Sequence, residues 1–109
     1  MAKYEKIVKG EYHEIVKTTQ TMMEHYRMKL FEHSEASFDD VEVTVMVYKK
    51  FHIRNMSKAV LNITLVGKGD TTYLTAIIYG GGQGIALDYD NGPEEDMLEF
   101  LQKCFDQII

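Results

Sequence analysis

The chain has 109 residues, 45% of them hydrophobic and 27% charged, with a formal net charge of −5. That length suits one domain with its own core, and the composition excludes a disordered chain, a collagen-like chain and a disulfide scaffold. The acidic balance argues against nucleic acid as a partner, since such binding draws on clustered Lys and Arg.

The single cysteine, Cys104, can form no internal disulfide, so nothing calls for an oxidising compartment. No stretch approaches the ~20 apolar residues of a membrane span, and the start of the chain has no signal-peptide pattern. The expectation is a single cytoplasmic domain covering residues 1–109, with no membrane partner.

Residues 3–9 read as a short strand, with Tyr4 and Val8 in phase and Gly10 ending it. Tyr12, Ile15, Val16, Thr19, Met22, Met23, Tyr26 and Leu30 then recur at three- and four-residue steps, which predicts a helix with one apolar stripe. That helix should fray between Phe31 and Ser37, where small and polar residues take over. From Val41 the period changes to two. Val41, Val43, Val45 and Val47 alternate with Glu42, Thr44, Met46 and Tyr48, and Phe51 and Ile53 keep the phase of a pleated strand. Arg54-Asn55-Met56-Ser57 supplies a turn. A second strand spans Lys58 to Val66, with Ala59, Leu61, Ile63 and Leu65 on one face. Gly67-Lys68-Gly69-Asp70 makes the next turn.

A third strand covers Thr71–Tyr79, with Thr72, Leu74, Ala76 and Ile78 in one phase. Gly80, Gly81, Gly82, Gln83 and Gly84 interrupt it, and Ile85–Tyr89 reads as a last strand. Pro93 opens a helix whose first turn holds Glu94, Glu95 and Asp96, where carboxylates favour the helix dipole. Met97, Leu98, Leu101, Cys104, Phe105 and Ile108 form its stripe.

The order β-α-β-β-β-β-α predicts an α+β fold with a single antiparallel sheet and both helices on one face, a TATA-binding-protein-like topology. The expected core is Ile15, Met22, Tyr26, Val43, Val45, Leu61, Ile63, Leu74, Ile78, Leu101 and Phe105. With the Val41 phase turned to the helices, Thr44, Met46, Tyr48, Lys50 and His52 face away. Val60, Asn62, Thr64, Val66, Tyr73, Thr75, Ile77 and Tyr79 share that outer face.

A solvated sheet face is dominated by Lys, Glu, Thr and Ser. Met46, Tyr48, Val60, Tyr73, Ile77 and Tyr79 instead predict an apolar and aromatic interface. A second copy of the chain is the expected occupant, because two-fold homodimers are the commonest oligomers. Cross-strand pairing of Tyr, Thr and Val would account for the same residues with no partner. A small-molecule ligand or another protein is a further occupant. The function expected is thus a small interaction module acting as a homodimer.

The alternative is a small-molecule-binding or enzymatic domain using Gly80, Gly81, Gly82, Gln83 and Gly84, with Tyr79 and Asp88 nearby. No helix follows that loop and no Gly-Lys-Ser/Thr ends it, so a hairpin with a bulge explains it more simply. Asp88–Gly92 with Glu99 falls short of a calcium loop, because the glycine comes one place early. His13, His25, His33 and His52 lack metal-site spacing. Cys104 reads as a buried thiol. Hairpin charges account for Lys49, Lys50, Arg54 and Lys58 around Phe51. No catalytic set, metal site or cofactor is predicted.

The opening Met-Ala-Lys-Tyr-Glu-Lys-Ile-Val-Lys-Gly resembles a family of small bacterial proteins of unknown function. So do the run Leu61–Asp70, the run Tyr73–Ile77, and the glycine pair with Gln83. The resemblance covers nearly the whole chain through structural motifs. The family has no assigned activity, so it implies no functional residue.

Overall fold

The computed structural model describes residues 2–52 and 57–81, together with Glu99, Gln102, Lys103 and Asp106. Strand β1 (Ala2–Lys9) leads through Gly10 into helix α1 (Tyr12–His25). Four strands follow: β2 (Lys29–Phe38), β3 (Val41–His52), β4 (Ser57–Lys68) and β5 (Thr71–Gly81). They form one five-stranded sheet in the order β1-β5-β4-β3-β2, with each neighbouring pair antiparallel. The fold is therefore α+β with a single antiparallel sheet, as the change of period predicts. Glu99, Gln102, Lys103 and Asp106 are helical and exposed, and Lys6 on β1 pairs with Asp106 at 2.6 Å. The expected strand Ile85–Tyr89 and the stripe Met97, Leu98, Leu101, Cys104, Phe105 and Ile108 lie outside the described residues.

Helix α1 is shorter than its apolar stripe predicts. It starts at Glu11, whose carboxylate accepts from the backbone N–H groups of His13 and Glu14. It stops at Tyr26. Arg27 takes a left-handed φ of 61°, its N–H donates to the Glu24 carbonyl at 2.9 Å, and the Met28 N–H donates to the Met23 carbonyl at 2.9 Å. This pair of bonds is a Schellman stop, and the buried Met23 and Met28 supply its apolar contact. Glycine normally occupies the left-handed position, so Arg27 gave no punctuation to read.

The chain freed by this stop forms β2, which corrects the expected fraying of Phe31–Ser37. Every residue of β2 is exposed, so it shows no alternation to detect. Its one local signal is Asp39-Asp40, the two-residue connection between the paired Phe38 and Val41, with Asp39 at φ 58°.

The core lies between α1 and one face of the sheet. It holds Val8, Tyr12, Ile15, Met23, Met46, Tyr48, Leu61, Ile63, Leu65, Leu74, Ala76 and Ile78, with Met22 and Tyr26 packed against it. Strands β4 and β5 take the expected phase, and β3 takes the opposite one. Thr44, Met46 and Tyr48 pair with Leu65, Ile63 and Leu61 on the α1 face and are buried. Val43 and Val45 lie half-buried on the outer face. Both phases of β3 are apolar enough to be core. Long Met46 and broad Tyr48 fill the space beneath α1, whereas short valines suit a flat pleated face. Leu101 and Phe105 lie outside the described residues.

The approach of α1 to the sheet depends on Gly67. A Cβ there would sit 2.2 Å from Tyr12 Cδ1, so the ring occupies the notch this glycine leaves. Gly67 belongs to β4, and the expected Gly67–Asp70 turn narrows to Gly69-Asp70. Gly67→Ala should destabilise the fold by about 1–3 kcal/mol, because neither the ring nor the strand backbone can yield freely. In urea unfolding, Met46→Ala should cost about 2–5 kcal/mol, and Val45→Ala about 1 kcal/mol or less. The reverse ranking would place β3 in the other phase.

Candidate interaction surface on the open sheet face

The ladder register aligns side chains across the outer face. Ala36 lies opposite Val43, Val43 opposite Val66, Val66 opposite Tyr73, and Tyr73 opposite Ile7. One unbroken apolar row therefore crosses all five strands. Ile7 is 61% exposed, Tyr73 38%, and Phe38, one pair further along β2, 61%. The neighbouring rows mix characters. Ser34, Val45, Thr64, Thr75 and Glu5 form one, and Glu32, Val47, Asn62, Ile77 and Lys3 the next. Beyond them Val60 pairs with Tyr79, which is 54% exposed.

Of the predicted interface residues, Val60, Tyr73, Ile77 and Tyr79 share this face. Met46 and Tyr48 do not. They are buried under α1, where the Tyr48 hydroxyl donates to Met46 Sδ at 3.6 Å, because β3 is in the opposite phase. The valines of β3 take their places, so the outer face is more apolar than expected. Gly80 and Gly81 continue β5, paired with Ala59 and Lys58. Gly82, Gln83 and Gly84 lie outside the described residues, as do Asp88 and Cys104.

Polar groups rim the row. The Tyr73 hydroxyl donates to Glu5 Oε2, and Lys3 stands 3.7 Å from Glu5 Oε1. Receiving the Tyr73 hydrogen bond holds the Glu5 carboxyl below the usual carboxylate range, and giving it pushes the Tyr73 phenol up. At the far end of β3, the Lys49 ammonium sits 3.7 Å from the centre of the Phe31 ring.

The α1 face carries a cleft as well. Beside the start of α1, about 220 Å³ opens between Tyr12, His13, Val16, Glu35, Glu42 and Thr44. Tyr12 and Thr44 share a buried hydroxyl hydrogen bond, and burial pushes the Tyr12 phenol up. His13 meets Glu42 at 3.3 Å, and His33 meets Glu35 at 3.0 Å. His33 and Glu35 both belong to β2. Near the end of α1, the Lys50 ammonium lies 3.6 Å from the Tyr26 ring centre and donates to the Tyr26 carbonyl at 3.2 Å. Burial draws the Lys50 pKa down, and Arg27 adds to the shift. Among the described residues, no three His, Cys, Asp or Glu side chains come together to hold a metal ion. Among the same residues, no helix is long and apolar enough to cross a membrane.

The family of unknown function DUF6054 matches residues 1–109, the whole length described by this sequence. The chain belongs to that family. The resemblance in the opening decapeptide and in Leu61–Asp70 thus extends along the entire chain. Membership in DUF6054 brings no assigned activity with it. No curated protein sequence matches the chain. Among solved structures, TTHA0849 from Thermus thermophilus is similar at 7% identity, over 98% of this chain and 90% of that one, with a TM-score of 0.37.

The Tyr73–Glu5 bond makes a measurable prediction. Because the Glu5 pKa is lowered in the folded state, its contribution is present above the ordinary glutamate range. It is lost as pH falls through the folded value. In an NMR carboxyl titration, Tyr73→Phe should move Glu5 back up towards an unperturbed glutamate. An unchanged Glu5 titration would assign the shift to Lys3.

Proposed function

We propose that this member of DUF6054 is a small interaction module that works as a homodimer, with the open sheet face of one copy packed on that of another. The apolar row Ala36–Val43–Val66–Tyr73–Ile7 carries the reading. Removing such a row from water is favourable at roughly 25 cal/mol per Å². Five strands at a spacing of ~4.8 Å and seven residues at ~3.4 Å give a footprint of about 24 by 24 Å. That approaches the ~800 Å² per partner of a standard interface, once side-chain relief is included. A two-fold axis sets the row of each copy on the same row of its partner, so apolar atoms meet apolar atoms. Lys3, Glu5 and Glu32 fall towards the margins of this face, where charges stay wet.

The finer architecture belongs to the same proposal. The stripe Met97–Ile108 packs on the α1 side of the sheet in a TATA-binding-protein-like topology. The Lys6–Asp106 pair supports this, since Lys6 shares the face of Tyr4 and Val8. A cytoplasmic setting fits a chain with one cysteine and no internal disulfide.

The cleft beside Tyr12 favours a second reading, a small polar ligand held between α1 and the β2–β3 hairpin. A ligand-library melting screen would read it as a clear shift in Tm.

Sedimentation equilibrium tests the main reading. The wild type should be at least dimeric at micromolar concentration. Val66→Lys, at the centre of the row, should weaken the dimer by more than about tenfold, since it buries an unpaired charge. Ile77→Lys, two pairs along β5, should weaken it less. Both should keep the wild-type circular dichroism. A wild type that is monomeric at about 100 μM would overturn the proposal, a concentration well above the Kd of ordinary stable dimers. So would a Val66→Lys variant that dimerises as tightly as the wild type.

A further inference from the structure

The two edges of the sheet are unlike. A sheet edge presents a row of unpaired N–H and C=O groups, and proteins guard it with lysines, prolines, bulges or short strands. Edge β1 carries Lys3, Lys6 and Lys9 within eight residues. Edge β2 runs for ten residues, Lys-Leu-Phe-Glu-His-Ser-Glu-Ala-Ser-Phe, without proline and with its single lysine at the first position. Its one irregularity is a register shift between Leu30 and Glu32, which leaves Glu32–Phe38 in unbroken register with β3. All ten residues are exposed. Leu30, Phe31 and Phe38 supply half of the exposed large hydrophobics among the described residues. The lysine and the bulge both guard its first end, so among the described residues the stretch Glu32–Phe38 carries neither device.

We infer that β2 pairs antiparallel with β2 of a second copy, about a two-fold axis through Ser34 and perpendicular to the sheet. The result would be one continuous sheet of ten strands. The inference is independent of the open-face proposal, because it uses the edge and not the face.

The occupant follows from complementary hydrogen bonding, an imidazole N–H set against a carboxylate. Residues paired across such an axis must face the same side, so the axis passes through a residue. An axis on Glu32 or Glu35 sets like carboxylates against each other. An axis on His33 sets imidazole against imidazole and leaves Glu35 opposite the bulge. An axis on Ser34 sets His33 against the partner's Glu35, twice by symmetry, and Glu32 against the partner's Ala36. Within the unbroken stretch Glu32–Phe38 no other centre sets an imidazole against a carboxylate. The geometry inside one chain already favours the contact: His33 Nε2 and Glu35 Oε2 lie 3.0 Å apart on one face of the strand. The partner's His33 and Glu35 would turn this pair into a four-membered network that closes on itself.

The experiment uses the full chain carrying Val66→Lys, so that open-face association is removed. In that background, Ser34→Cys should form a disulfide-linked dimer on mild oxidation. Directly opposed residues of an antiparallel pair lie about 4.5–5.5 Å apart at Cα, within disulfide range. Glu32→Cys should not, since its symmetry mate lies four residues further along. Cys104→Ser in every variant removes the native thiol. In sedimentation, His33→Glu should weaken the edge dimer about tenfold by opposing like charges, and adding Glu35→Lys should restore it. Equal crosslinking at both cysteine positions, no crosslink at Ser34→Cys, or no restoration by the double charge swap would each overturn the inference. Failure of the open-face proposal shows separately, as equal masses of the wild type and Val66→Lys.

Discussion

Met46, Ile63 and Ala76 stand opposite one another across β3, β4 and β5, and the rest of the structure depends on that register. Side chains on a strand alternate strictly, so a slip of one residue would exchange core and surface along the whole strand. The register puts Thr44, Met46 and Tyr48 beside Leu65, Ile63 and Leu61, which gives α1 a continuous apolar floor. The same register assembles the outer row from Val43, Val66 and Tyr73. Core and candidate interface are two consequences of one hydrogen-bond ladder.

Where α1 lies on this floor depends on its two ends. Tyr12 enters the notch at Gly67 and bonds Thr44, which pins the start of the helix over β3 and β4. The Schellman stop at Arg27 ends it after fourteen residues. A helix of that length covers about 21 Å at 1.5 Å per residue, and its packing partners are β3, β4 and β5. Strand β2 meets the helix only along the clefts beside Tyr12 and Gln20. Exposure of β2 on both faces is thus the geometric cost of a short helix on a five-stranded sheet.

Among the described residues a helix covers one side of the sheet and no layer covers the other, an arrangement that resembles half of a sandwich. Closing the open face and extending the β2 edge are different operations about different axes, so one does not preclude the other. The described residues show apolar area, an exposed edge and a polar cleft beside Tyr12.

Sequence periodicity alone determined a good deal. The stripe from Tyr12 to Leu30 placed a helix after β1, though it runs past the stop at Arg27. The alternation of Leu61, Ile63 and Leu65, and of Leu74, Ala76 and Ile78, specified the inner faces of β4 and β5. These patterns were legible because one side of each element is uniformly apolar, whereas the other mixes polar residues such as Asn62, Thr64 and Thr75 with apolar ones. From the same two strands, Val60, Tyr73, Ile77 and Tyr79 could be placed on the open face. The phase of β3 was not legible, because Val41–Val47 and Thr44–Tyr48 are both hydrophobic enough to be buried. Only pairing with β4 chooses between them, and the space under α1 takes the larger side chains. Strand β2 was not legible either: with every side chain exposed, its existence rests on main-chain hydrogen bonds to β3, which leave no mark on residue type. The apolar row across the sheet needs residues from positions 7 to 73 brought side by side. Such a row exists only once the ladder has closed, since no local spacing in the chain encodes which residue of one strand lies opposite which residue of the next.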